Sequence, residues 1–73
     1  MDYWIEQARQ RVIDAGFPRA AECLDGTPQG VARARQTLSR FEPCSMYEAD
    51  MRSRAFAALP EIVERENGVL EFY

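Results

Sequence analysis

Seventy-three residues, with twelve carboxylates against nine arginines and neither lysine nor histidine, give a net charge of −3. A chain this short cannot divide its apolar residues between two cores, and it holds no run near the about 20 apolar residues that a bilayer span needs; a single domain over residues 1–73, with no membrane partner, is expected. Without histidine, proton transfer near neutral pH would require a strongly shifted carboxylate or thiol, and the commonest metal ligand is missing, so the reading is non-enzymatic with no cofactor and no metal.

The first helix is expected to begin at Asp2, whose carboxylate can accept from the free amides of the first turn. Ile5, Ala8, Val12 and Ala15 then recur at helical spacing, with Trp4 and Ile13 widening the stripe. Gly16-Phe17-Pro18 is a stop signal. Glycine suits the left-handed position, Phe17 can fold back on Val12 as the apolar contact of a Schellman motif, and Pro18 forbids continuation. Pro18 equally suits the first position of a second, short helix through Ala20, Ala21, Cys23 and Leu24, which Asp25-Gly26 ends.

Thr27 is expected to cap a third helix with Pro28 at its first position. Val31, Ala34, Leu38 and Phe41 line one face of that helix, and Arg33, Gln36, Thr37 and Arg40 the other, until Pro43 terminates it. Ser45 to Glu48 is a capping box, S-x-x-E, opening a fourth helix. That helix is apolar on two sides, Tyr47, Met51, Ala55 and Ala58 on one and Met46, Ala49, Phe56 and Ala57 on the other, a pattern that suits a central element or a homodimer interface. After Pro60, which kinks or restarts it, Glu61 to Glu66 is expected to form one more short helix stopped by Asn67-Gly68. The competing reading takes Asn-Gly as a hairpin turn between Ile62-Val63 and the β-prone Val69 to Tyr73; closed as a two-residue turn it would set Glu64 against Glu71, which is unfavourable. The fold expected is therefore all-α, a compact bundle of four to five short helices ending in an apolar tail, with a short strand there as the alternative.

Cys23 and Cys44 have no metal-site spacing and read as small buried apolar residues in a reducing compartment. The start of the chain has no basic leader before a long apolar run, so a cytoplasmic location is expected. Glu61 and Glu64, with Glu48 or Asp50, resemble neither a calcium loop nor a paired-carboxylate hydrolase.

Two functional readings remain. From Arg19 onward, Ala21 takes the place of the small residue of a first helix, Leu24 the apolar residue before a turn, Thr27 the cap and Val31 the apolar residue of a second helix. This stretch, about a third of the chain, is similar to the DNA-binding helix-turn-helix pattern, and the resemblance implies a transcriptional regulator in which Thr27, Arg33, Gln36 and Arg40 meet duplex DNA. It departs from that pattern at Asp25, where glycine is favoured, at Gly26, where an apolar residue is usual, and at Gly30, which loosens the start of the reading helix.

Charge favours the other reading. Residues 27 to 41 are basic, but residues 1 to 26 and 42 to 73 are acidic, and a DNA-binding surface needs a larger basic excess. Aromatic residues at both ends of the chain exceed what so small a body buries. Trp4, Tyr47, Phe56, Phe72 and Tyr73, with Glu61 and Glu64 as an acidic patch, are the expected protein-binding residues. The chain is expected to be an inhibitor or anti-activator that occludes a larger host protein or complex; phage and mobile-element inhibitors of host defence or regulatory complexes are built at this scale.

Overall fold

A computed structural model describes residues 3–73, and the capping role expected of Asp2 lies outside them. Four helices precede a hairpin: α1 (Tyr3–Asp14), α2 (Pro18–Glu22), α3 (Pro28–Arg40), α4 (Met46–Ala57), β1 (Ile62–Glu64) and β2 (Leu70–Phe72). Helices α1, α2 and α3 pack in succession, α4 lies against α1 and α3, and both strands rest on α3. The chain is thus mostly helical rather than all-α, and no described helix is long and apolar enough to cross a membrane.

The helix ends follow from local chemistry. At the end of α1, Gly16 N donates to Ile13 O at 2.8 Å and Phe17 N to Val12 O at 3.0 Å, the paired bonds of a Schellman motif. Thr27 Oγ1 accepts from Gly30 N at 3.0 Å, which caps α3, and Pro28 follows at its first turn. At α4, Ser45 Oγ accepts from Glu48 N at 3.1 Å, while the Glu48 carboxylate reaches one residue beyond the cap to accept from Cys44 N at 2.7 Å.

The core is made largely of alanine. Val12, Leu24, Val31 and Leu38 are its largest fully buried side chains, joined by Ala8, Ala20, Ala21, Ala34, Ala55 and Leu59. Small side chains let the helix backbones approach closely, but each contributes less than the about 1.5–3 kcal/mol of a buried leucine or valine. The larger apolar groups, Trp4, Phe17, Phe56 and Ile62, are half-buried around this core. Among the described residues no aromatic side chain is fully buried, which fits a body only 17 Å across its thinnest axis.

Two expectations are corrected here. The segment from Glu61 to Glu66 is not a helix: it carries β1 and begins the turn of an antiparallel hairpin in which Ile62 faces Phe72, Val63 faces Glu71 and Glu64 faces Leu70. β-Branched Ile62 and Val63 suit a pleated strand, and the Asn67-Gly68 turn brings the equally β-prone Leu70 to Phe72 alongside to pair with them. The turn spans three residues rather than two. Arg65 N donates to Val69 O and Gly68 N to Arg65 O, both at 2.8 Å, and Gly68 takes φ +81°, a value closed to side chains at low energy. The extra residue shifts the register by one. Glu71 no longer meets Glu64, and it instead accepts from Arg65 Nε at 2.6 Å. The second correction concerns the thiols: Cys23 is half-buried and Cys44 is exposed.

Candidate protein-binding surface

The hairpin register sets the site. Phe72 shares a face with Ile62 and Leu70, and its ring meets Trp4 of α1 edge-on, with centroids 5.3 Å apart and planes at 75°. Tyr73 N donates to Glu61 O at 3.0 Å and extends the ladder by one pair. Trp4, Pro60, Glu61, Phe72 and Tyr73 consequently line one open groove of about 510 Å³. Tyr73 is 89% exposed and Phe72 40%, so the groove presents bare aromatic surface with a carboxylate at its rim.

Four of the seven residues expected to contact protein, Trp4, Glu61, Phe72 and Tyr73, are therefore brought together. The other three are elsewhere. Phe56 packs against the core, and Glu64 is exposed on β1 beside Leu70. Tyr47, 71% exposed, lines a separate groove of about 290 Å³ with Phe17, Phe41 and Met51. The acidic residues do not converge into a chelating group: no cluster of three potential ligands occurs among the described residues.

The α2–α3 segment is a helix, a turn and a helix, and Arg33, Gln36 and Arg40 do share the outer face of α3, exposed to solvent. Two of the three departures from the DNA-binding pattern, Asp25 and Gly30, form one interlocked device. Asp25 Oδ1 accepts from Thr27 N at 3.0 Å and from Thr27 Oγ1 at 2.6 Å, and Asp25 Oδ2 meets Arg33 Nη2 at 3.1 Å. Gly30 makes room for it, since a Cβ there would collide with the Asp25 carboxylate and stand 2.5 Å from Cys23 O. The Thr27 hydroxyl, then the Thr27 amide and more weakly the Arg33 charge, hold the Asp25 carboxyl below its ordinary pKa. Thr27 is committed to this cap, and Arg33 is tied to Asp25.

Sequence reasoning missed how other arginines are used. Arg9 Nε donates to Leu24 O at 2.7 Å, with Nη2 on the same oxygen; Arg35 Nη2 donates to Pro60 O at 3.0 Å and Arg52 Nη1 to Phe41 O at 2.9 Å. Each acceptor is a carbonyl just past the end of α2, α4 or α3, where the chain has lost its own helical donors. The signal available beforehand was chemical rather than positional: a chain whose only cation is arginine has long, multi-donor side chains suited to such carbonyls.

No family model matches this chain, and no match was found among curated proteins or solved structures.

Proposed function

We propose that this protein works without catalysis, as a binding module that occludes a surface of a larger protein, using the groove between α1 and the hairpin. The observation that carries this reading is the convergence of Trp4, Phe72 and Tyr73 from opposite ends of the chain into one open aromatic groove with Glu61 beside it. Tryptophan and tyrosine lose little conformational entropy on binding relative to the apolar area they cover, which is why they dominate interface hot spots. Inhibition by occlusion, including the blocking of a host defence or regulatory complex by a phage-type inhibitor, requires nothing more than such a surface.

A second reading rests on the exposed Arg33, Gln36 and Arg40 stripe of α3, which would enter the major groove of DNA. Its cationic capacity is reduced by the same structure, because Arg33 is paired with Asp25 and Arg35 serves Pro60. Quantitative capture from a native-host extract separates the two. Tyr73→Ala and Glu61→Arg, both at exposed positions, should each weaken capture of a stoichiometric protein partner about tenfold or more, while Arg33→Ala leaves it unchanged. A catch that disappears on nuclease treatment and with Arg33→Ala, yet survives Tyr73→Ala, would replace the first reading with the second.

A further inference from the structure

Another groove, which shares Phe17 and Phe41 with the one at Tyr47, has the opposite charge to that at Trp4 and Tyr73. Phe17 and Phe41 meet edge-on there, centroids 5.0 Å apart and planes at 87°, and form the apolar wall of a space of about 430 Å³. Arg19 of α2 and Arg40 of α3 line it together with Pro18 and Thr37, and no carboxylate does. Among the described residues, the ion pairs engage Arg33, Arg54 and Arg65, and the carbonyl staples engage Arg9, Arg35 and Arg52; Arg19 and Arg40 take part in neither. In a chain of net charge −3, two uncommitted guanidiniums lining a groove with a half-buried aromatic wall make a local reversal of sign.

We propose that this groove is a second docking surface, which takes an acidic partner segment: a bulky apolar side chain against Phe17 and Phe41, with carboxylates on Arg19 and Arg40. The charge complementarity defines the occupant. A guanidinium pairs with a carboxylate through two parallel hydrogen bonds, so two of them orient a short segment that an apolar slot alone would bind in many ways. Single-stranded nucleic acid, which also combines negative charge with flat rings, fits less well. It requires a basic track along several phosphates, and Arg19 and Arg40 are the two cationic residues lining this groove. The groove at Trp4 and Tyr73 does not contribute to this site, so the two surfaces can fail independently.

The test is an NMR titration of the isotope-labelled full chain with a doubly capped Glu-Leu-Phe-Glu tetrapeptide. Resonances of Phe17, Arg19, Thr37, Arg40 and Phe41 should shift at up to millimolar peptide, those of Tyr73 should not, and Arg19→Gln and Arg40→Gln should each weaken binding about fivefold to tenfold. Both arginines are exposed, so circular dichroism should show the variants folded. Equal binding of the Gln-Leu-Phe-Gln peptide would overturn the proposal, as would the absence of shifts. Tighter binding of oligothymidylate at the same residues would overturn it in favour of nucleic acid.

Discussion

Asp25 shows how one side chain can connect a turn, a cap and an ion pair. Its folded-state pKa lies below its unfolded value, so the stabilisation it contributes is fully present above the ordinary carboxylate pKa of about 4 and is lost as pH falls through the folded value. Denaturant titrations from neutral pH into acid should show a shallower loss of stability for Asp25→Asn than for the parent; equal slopes would count against the linkage. Gly30→Ala should be destabilising by about 1–3 kcal/mol, because the Cys23 carbonyl that its Cβ would meet is backbone and cannot swing aside. These two residues read in the sequence as defects in a helix-turn-helix pattern. Neither contact could be inferred from spacing, because each depends on a turn that brings residue 25 over the first turn of α3. Arg9 gives a comparison of a different kind. Arg9→Ala should cost about 1.5–3 kcal/mol through the bonds to Leu24 O, whereas exposed Arg33→Ala should cost less than about 1 kcal/mol, both measured by urea unfolding.

Among the elements, the hairpin contains the largest difference between expectation and structure. Gly68→Ala forces a side chain into φ +81° and should destabilise the turn by about 1 kcal/mol, with the loss concentrated in amide exchange of residues 62 to 73 rather than of α1. The helices were legible because their ends are written in short-range chemistry. The Gly16-Phe17-Pro18 stop, the Thr27 cap and the Ser45 to Glu48 box each involve neighbours within a few residues, and all three stand where the pattern put them. The hairpin reads as unfavourable in the sequence because a two-residue Asn67-Gly68 turn would oppose Glu64 to Glu71. One additional turn residue removed that conflict and created the Arg65–Glu71 pair instead. The same register carries Phe72 to Trp4, so missing the hairpin also concealed which of the candidate binding residues meet.

On the scale of the whole molecule, the thin body and alanine-rich core leave the aromatic residues on the periphery, where they line an aromatic groove with an acidic rim at Trp4 and Tyr73 and a basic one at Phe17 and Phe41, with Tyr47 in a third beside the latter. Raising the salt concentration should therefore weaken an acidic ligand at the second surface by screening, while an aromatic contact at the first is less affected. The placement of the lone tryptophan has an optical consequence. Trp4 touches the hairpin through Phe72, so its emission reports whether the carboxy-terminal ribbon is seated on the helices, while far-ultraviolet ellipticity follows the helices themselves. A heating curve in which the emission changes first would show the ribbon lifting away before the scaffold melts.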